Sequence, residues 1–266
     1  MTMLAVRDLS VAFDGVHALS DISFDVKEAE IVGIIGPNGA GKTTLLNTIS
    51  RLNRIDTGTI HFNGTPITAK RADQVAELGL GRTFQTSRLF PGMTVLENVM
   101  TGLHRKTAAG LFACAFRTRA MREEEEWAAT KAWAALCYVG MERFADRPSS
   151  ALSFGQQRII EIARALIAEP SLLLLDEPGV GLSVNRVAEL DRLLRRIRDE
   201  RGVSFLMIEH VIRLVVDVCD RVIVLNYGQK IAEGLPSAVT ADPAVIAAYL
   251  GTGFDVAHGH AERRAS

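Results

Sequence analysis

Hydrophobic and polar positions alternate along the first thirty residues, before a short run that is almost entirely apolar. The alternation covers residues 4–9 and 22–26, and it is typical of strands in an antiparallel sheet with one exposed face. The apolar run, Ile31–Ile35, indicates a strand buried on both faces. Residues 58–67 read as a hairpin with an Asn-Gly turn. The N-terminal part therefore predicts an antiparallel sheet next to a buried strand.

Beyond this region the apolar spacing becomes helical and then alternates between strand and helix. Residues 86–150 follow the helical period, and a Thr-Val-Leu-Glu capping box marks the start of one helix. Between residues 151 and 250, apolar runs at 172–175 and 204–208 alternate with amphipathic stretches. Such alternation predicts a parallel sheet covered by helices.

The composition is that of an ordinary globular protein and excludes several classes. The chain has 266 residues, of which 48% are hydrophobic and 23% are charged, and its net charge is −1. Because there is no basic surplus, we expect no nucleic-acid partner. The three cysteines form no CxxC pair, so neither a disulfide framework nor a zinc site is indicated. No apolar run approaches the roughly 18 residues that span a bilayer, and we expect no secretory signal at the N-terminus.

The chemistry is carried first by a glycine-rich loop between the buried strand and a helix. The stretch from Gly36 to Thr43 fits G-x-x-x-x-G-K-[ST], in which backbone N–H groups curl around phosphates and glycines permit positive φ. Lys42 supplies a positive charge to the β and γ phosphates, and the Thr43 hydroxyl is a ligand for Mg²⁺. The expected ATP-binding residues here are Gly36, Asn38, Gly39, Ala40, Gly41, Lys42, Thr43 and Thr44.

Two carboxylates follow another buried strand and form the second acidic centre. Asp176 and Glu177 come directly after the apolar run 172–175, and in open α/β sheets ligands gather at the carboxyl ends of strands. This strand can lie beside the one that leads into Gly36. Asp176 is then placed to hold Mg²⁺, and Glu177 is the natural general base for a water that attacks the γ phosphate.

A third motif separates this chain from other phosphate-loop proteins. Residues 152–157 read Leu-Ser-Phe-Gly-Gln-Gln, which resembles the LSGGQ signature of ATP-binding cassette (ABC) ATPases. Phe154 stands where the first of the paired glycines often is. By this resemblance, the residues that contact the ATP of a partner subunit are Ser153, Phe154, Gly155 and Gln156.

The resemblance assigns roles to further residues in the expected chain order. Gln85 resembles the Q-loop glutamine, which contacts Mg²⁺ and takes part in catalysis, and His210 resembles the catalytic switch histidine. Phe13 occupies the place of the aromatic residue that stacks on adenine. The implied Mg²⁺ ligands are Thr43, Gln85 and Asp176. Ser183 departs from the pattern, because the loop after the acidic centre often has Asp or Asn there.

The fold implied by the resemblance is α/β, with a P-loop NTPase core of the ABC type. It has a mainly parallel sheet, an antiparallel β subdomain and an inserted helical subdomain. We expect a single ATPase domain over residues 1–253. The nucleotide-binding core, with the β subdomain, comprises 1–85 and 151–250, the helical subdomain 86–150, and residues 254–266 form a tail.

Within this family, several stretches look like the LivG-like subunits of branched-chain amino-acid importers. They are residues 81–90, 93–98, 152–157, 208–210 and 243–251. The resemblance implies an ATP hydrolase that works with two transmembrane permease subunits, a second ABC ATPase subunit and a periplasmic or extracellular binding protein. Such a subunit lies peripherally on the cytoplasmic face of the inner membrane. Urea or short-amide import, or a non-transport ABC ATPase, are the alternatives.

One surface is a candidate for contact with the permease. The apolar face from Leu89 through Met93 to Val99 is either a groove for a coupling helix of the transmembrane subunit or ordinary core packing. The sequence leaves these two interpretations equally open.

Overall fold

The computed structural model describes residues 1–84, 89–106 and 119–250 of the chain. Near the N-terminus lies a four-stranded antiparallel sheet in the order β2-β1-β4-β5. Its strands are β1 (Thr2–Phe13), β2 (Val16–Lys27), β4 (Thr57–Phe62) and β5 (Thr65–Pro66). The predicted Asn63-Gly64 turn joins β4 to β5, with φ of 48° and 72° at the two residues. The antiparallel prediction is confirmed, and the first two strands are longer than the alternation indicated.

A six-stranded sheet, in the order β10-β9-β3-β8-β7-β6, forms the centre of the molecule. Five strands are parallel and only the edge strand β10 is antiparallel to its neighbour, so the predicted mainly parallel sheet is confirmed. Its strands are β3 (Ile31–Ile35), β6 (Leu80–Arg82), β7 (Leu172–Asp176), β8 (Ser204–Ile208), β9 (Arg221–Asn226) and β10 (Gln229–Gly234).

The expected neighbourhood of β3 and β7 is wrong. β8 lies between them and pairs with both, in a register that sets Ile34 and Asp176 each opposite Ile208. The reason is that β8 is as apolar as its neighbours and is buried along its whole length, so it can occupy a central position. As a result, the residues that follow β8 are inserted between the phosphate loop and the acidic centre.

Nine α-helices surround the sheets in the described part of the chain. They are α1 (Lys42–Ile49), α2 (Ala72–Glu77), α3 (Val95–Met100), α4 (Arg119–Val139), α5 (Phe154–Leu166), α6 (Val184–Arg201), α7 (Ile212–Val218), α8 (Pro236–Val239) and α9 (Pro243–Leu250). Short 3₁₀ turns cover Thr101–Leu103, Glu142–Phe144 and Ser149–Ala151. Thr94 caps α3 and Ser153 caps α5, each in a capping box with the residue three positions later.

Three hydrophobic clusters account for the packing. One lies between the antiparallel sheet and one face of the central sheet and includes α1, and a second fills the opposite face against α5, α6 and α7. The third joins α3, α4 and α5 into a helical unit around Val99, Leu136 and Ile160. The fold is therefore the predicted one, with an antiparallel subdomain and an inserted helical subdomain on a P-loop core.

Candidate functional site

The phosphate loop leaves the carboxyl end of β3 and enters α1. Gly36, Gly39 and Gly41 have φ of 151°, 79° and 95°, in a region of positive φ that residues other than glycine rarely adopt. A Cβ on Gly36 would lie 2.0 Å from the carbonyl oxygen of Leu225, so the backbone of β9 leaves no room for a side chain there. The loop is thus held in a curled form, the kind of backbone conformation that can surround a phosphate with N–H groups.

Lys42 is the cation at the base of this loop. Its Nζ donates to the carbonyl oxygens of Gly36 and Pro37 at 2.7 and 2.8 Å. Burial lowers the pKa of Lys42, while the carboxylates of Glu177 and Asp176 act in the opposite direction. The ammonium group is therefore near both Asp176 and Glu177.

Asp176 ends β7 and is almost completely buried. Burial raises the pKa of its carboxyl, and the charge of Arg82 opposes that effect. Arg82 Nη2 lies 3.4 Å from Asp176 Oδ2 and 2.7 Å from Asn47 Oδ1, and its Nη1 donates to Ser50 Oγ at 2.6 Å. The other carboxylate oxygen, Oδ1, is buried and accepts no hydrogen bond within the described residues. A buried carboxylate oxygen of this kind fits a magnesium site, because Mg²⁺ in nucleotide sites takes one or two carboxylates together with phosphates.

Glu177 and His210, two of the residues predicted to be catalytic, form the candidate reactive pair of the site. His210 Nε2 lies 2.8 Å from Glu177 Oε1, although 33 residues separate the two in sequence. Glu177 has φ of 51°, and its N–H donates to Ile208 O at 3.0 Å. A non-glycine residue in the left-handed region is uncommon, and such strained residues cluster at functional sites. The turn directs a carboxylate and an imidazole toward the same point above the sheet.

Glu209 is a buried residue that the sequence interpretation missed. Its side chain is fully buried and accepts the N–H groups of Gly179, His210 and Val211, the last two at 2.9 and 3.1 Å. Burial raises the pKa of Glu209, and the three N–H donors act in the opposite direction. The available signal was a charged residue directly after a uniformly apolar strand and directly before His210.

A cavity of about 520 Å³ opens above the phosphate loop, within the size range of small-molecule sites. Its lining comprises Val16, His17, Ala18, Asn38, Gly39, Ala40, Gly41, Lys42, Thr43, Thr44, Glu177, His210, Tyr227 and Gly228. Phe13 is not part of this lining but lies at the end of β1, paired with Val16 across the hairpin. Tyr227 was also missed by the sequence interpretation, since an exposed tyrosine in a tight turn gives no pattern.

The other predicted residues lie elsewhere. Ser153 accepts a hydrogen bond from Gln156 N at the start of α5, and Phe154 is 43% exposed beside Arg158. None of the four signature residues lines the cavity in the same chain. Gln85 lies outside the described residues.

A tyrosine from the last helix approaches the phosphate loop from below. Tyr249 of α9 is 8% exposed and packs in the same cluster as Ile35, the last residue of β3. Burial raises the pKa of Tyr249 to about 12, and the backbone of Gly36 acts in the opposite direction. α9 is therefore in contact with the beginning of the loop.

A second cavity of about 630 Å³ lies between α2, β6, the 3₁₀ turn Thr101–Leu103 and α5, on a different face of the molecule. Apolar side chains form much of its wall, including Leu52, Phe90, Met93 and Ala165. Phe90 and Met93 are 50% and 38% exposed, whereas Val99 is fully buried in the helical cluster. Of the apolar face predicted from Leu89 to Val99, Phe90 and Met93 therefore line a groove, whereas Leu89 and Val99 pack in the helical cluster.

Comparisons with known proteins agree with this site. The profile of the ABC transporter family matches residues 19–180, and a branched-chain amino acid ATP-binding cassette transporter profile matches residues 229–255. The chain belongs to the ABC transporter family and is an ATP-hydrolysing subunit of that class. Within the described residues, no helix has the length and apolar character to cross a membrane.

The similar proteins include ATP-binding proteins of branched-chain amino acid transport. LivG of Salmonella typhimurium is 39% identical, with 94% of this chain and 98% of LivG covered. BraF of Pseudomonas aeruginosa is 38% identical over the same shares. A crystal structure of a nucleotide-free ATP-binding cassette from an ABC transporter superposes with a TM-score of 0.83 at 32% identity, covering 94% of this chain and 99% of that one. A dimeric cassette bound to ADP and Pi has a TM-score of 0.74 at 27% identity, covering 88% and 99%.

Proposed function

We propose that this chain powers the import of branched-chain amino acids by hydrolysing ATP on behalf of membrane-spanning permease subunits. The observation that carries the proposal is the similarity to LivG and BraF over nearly the whole of both chains. The match of residues 229–255 to the branched-chain profile supports the same substrate class independently of the common ATPase core.

The mechanism follows from the residues around the phosphate loop. The N–H groups of the loop and Lys42 bind the phosphates, and they orient the γ phosphate toward the acidic centre. Glu177 accepts the proton of the attacking water, and its contact with His210 fixes the orientation of both side chains. His210 also stabilises the negative charge that develops on the γ phosphate. Phe13 stacks on adenine at the outer edge of the cavity.

A magnesium ion fits beside these residues. Thr43, Gln85 and Asp176 would hold it, and the buried Oδ1 of Asp176 supports this assignment. When bound, the ion would neutralise charge on the phosphate oxygens. The charge of the Arg82 guanidinium favours the ionised form of the Asp176 carboxyl and so opposes the effect of burial, which raises its pKa.

The active site is completed by a second ATPase subunit, of the same or a related sequence. The signature residues Ser153, Phe154, Gly155 and Gln156 contact the ATP of the partner. Two features support this arrangement: these residues lie outside the cavity of their own chain, and a similar cassette is dimeric with ADP and Pi. α5 begins at its cap Ser153, and the positive end of the helix dipole at this terminus favours a bound phosphate.

The permease subunits dock in the groove lined by Leu52, Phe90 and Met93. Its apolar wall and its position beside Phe84, the residue before Gln85, support this assignment. The complete importer has two permease subunits and a periplasmic or extracellular binding protein, and this chain lies peripherally on the cytoplasmic face of the membrane. Residues 1–85 and 151–250 act as the nucleotide-binding core, 86–150 as the helical subdomain that moves with the permease, and 254–266 as a tail.

Two substitutions test the hydrolytic part of the proposal. Glu177→Gln is expected to abolish phosphate release while ATP still binds, and Lys42→Ala is expected to weaken ATP binding itself. Phosphate release and binding of a fluorescent ATP analogue measure the two effects separately. Undiminished hydrolysis by E177Q would contradict the mechanism, and unchanged ATP affinity of K42A would contradict the role of the loop.

The transport part needs a separate experiment. The chain is co-purified with the membrane subunits encoded beside it, and ATP-dependent uptake by the reconstituted complex is compared for leucine and urea. Uptake of leucine with loss of transport in E177Q is the expected result. Uptake of urea alone, or the absence of any membrane subunit, would refute branched-chain amino-acid import.

A further inference from the structure

Glu209 connects the two loops that carry the reactive pair. Its Oε1 accepts the N–H of Gly179, two residues after Glu177, and its Oε2 accepts the N–H groups of His210 and Val211. All hydrogen bonds to this carboxylate from within residues 1–84, 89–106 and 119–250 come from these two loops. The side chain has no solvent exposure, so water does not compete for the three donors.

The space around Glu209 is adapted to this connection. A Cβ on Gly179 would lie 2.7 Å from Glu209 Oε1, so a side chain at 179 would displace the carboxylate. Strands β7 and β8 are paired up to Asp176 and Ile208, and beyond that point the ladder ends. One backbone hydrogen bond, from Glu177 N–H to Ile208 O, follows the end of the ladder, and the carboxylate of Glu209 joins the two loops beyond it.

The chemistry of the contact requires a carboxylate. Three N–H donors converge on two oxygens, and an ionised carboxylate is an acceptor at both. A glutamine in the same position would direct its NH₂ group at one or more of these donors, whichever way the amide is turned. A buried N–H left without an acceptor is unfavourable, so the two loops would move apart or rearrange.

We propose that Glu209 is a positioning residue for ATP hydrolysis, which holds the loop after β7 against the loop after β8 and thereby keeps His210 in contact with Glu177. The 2.8 Å contact between His210 Nε2 and Glu177 Oε1 depends on the relative position of these loops. Glu209 itself does not line the ATP cavity, so it acts through the pair and not on the substrate.

The first test compares Glu209→Gln with a matched control in the full-length chain. The control is Glu30→Gln, because Glu30 is another largely buried carboxylate that accepts a backbone N–H, from Lys27, but lies at the opposite end of β3. For E209Q we expect kcat to fall at least about tenfold with KM changed less than about twofold, as for an interaction that matters in the transition state. E30Q is expected to retain kcat.

The outcome can also overturn the inference. A kcat of E209Q close to that of the wild type would do so, and so would equal effects of E209Q and E30Q on kcat, since these would indicate general destabilisation. Thermal melting of each variant shows whether it is folded at the assay temperature. If E209Q does not fold, Glu209→Asp serves instead, because it keeps the charge but is too short to reach both loops, and the same loss of kcat is expected.

A double-mutant cycle tests whether Glu209 acts through His210. In a His210→Ala background, measured by single-turnover hydrolysis of labelled ATP, E209Q is expected to add less than about a twofold loss. A full additional loss would mean that Glu209 acts independently of His210, and the inference would be wrong. The inference rests on the proposed roles of Glu177 and His210. If E177Q and H210A hydrolyse ATP at the wild-type rate, the proposed function fails. If E209Q is the only variant that hydrolyses ATP at the wild-type rate, only the inference about Glu209 fails.

Discussion

Arg82 lies outside the recognised motifs, and its loss is expected to destabilise the molecule. It is 7% exposed and joins three elements, since it hydrogen-bonds Asn47 and Ser50 of the region after the phosphate loop and pairs with Asp176 of β7. The perturbation that isolates its charge is Arg82→Met, which keeps an apolar stem of similar length and removes the guanidinium.

The magnitude follows from what R82M would leave behind. The Asp176 side chain is 3% exposed, and Arg82 is the largest influence that favours its charged form. Removal of one partner of a buried ion pair costs about 3–5 kcal/mol, because an uncompensated charge remains. The 3.4 Å separation is long for such a pair, so the lower end, about 3 kcal/mol, is the expected loss. That is a large part of the usual free energy of unfolding of a domain.

The loss should depend on pH in a defined direction. Burial already raises the pKa of Asp176 in the folded chain, and R82M raises it further. A carboxyl whose folded pKa exceeds its unfolded value favours folding below the unfolded pKa, and this contribution is lost as the pH rises through the folded pKa. The deficit of R82M is therefore expected to grow as the pH rises and to shrink as the pH falls toward the range in which Asp176 is protonated.

Urea denaturation followed by circular dichroism measures the effect, with Arg71→Ala as the control. Arg71 pairs with Asp73 at 2.5 Å, but the two side chains are 74% and 54% exposed, and such a pair contributes little. We expect the midpoint of R82M to fall by at least about 1 M urea, and that of R71A to remain unchanged. Equal midpoints for the two variants, or a deficit that grows as the pH falls, would refute the reasoning.

Two further predictions concern the loop and the thiols. Gly36→Ala places a methyl group 2.0 Å from Leu225 O and is expected to weaken ATP binding at least about tenfold. Gly140→Ala, at an open turn, is expected to leave ATP binding unchanged. Equal affinities of the two variants in a fluorescent-nucleotide titration would contradict this prediction. Cys219 is buried, and burial raises the pKa of its thiol. Cys219→Ser should therefore not alter the rapid reaction of the native chain with a disulfide reagent, whereas Cys137→Ser, at an exposed position, should reduce it. Fast labelling of Cys219 would show that α7 opens.

The sequence was sufficient for the parts of the site that depend on local chain order. The loop from Gly36 to Thr43 has its motif in eight consecutive residues, and Asp176 and Glu177 follow their strand directly. The capping of α5 by Ser153 was likewise predictable from the residue types, since a capping box spans four positions. The structure has each of these segments at the expected place in the fold, because the physical cause of each lies within one or two turns of chain.

Contacts between distant segments could not be predicted in the same way. Arg82 reaches Asp176 across 94 residues, and only the pairing of β6 with β7 brings them together. The neighbour of β3 was predicted wrongly for the same reason. Several strands are equally apolar, and no pattern in them specifies the order of the strands in the sheet. Glu209 illustrates the consequence, since the sequence marks it as adjacent to His210 but not as the partner of Gly179.

Tyr249 of α9 lies against the beginning of the phosphate loop at Gly36, so the last helix of the described chain contacts the nucleotide-binding core. The phosphate loop is shared by many nucleotide-binding proteins, whereas α9 falls within residues 229–255, which match the branched-chain profile. α9 therefore belongs to the segment that the branched-chain profile matches, and it also packs against the beginning of the common loop. A substitution in α9 can change the packing against the loop while the sequence of the loop itself stays the same.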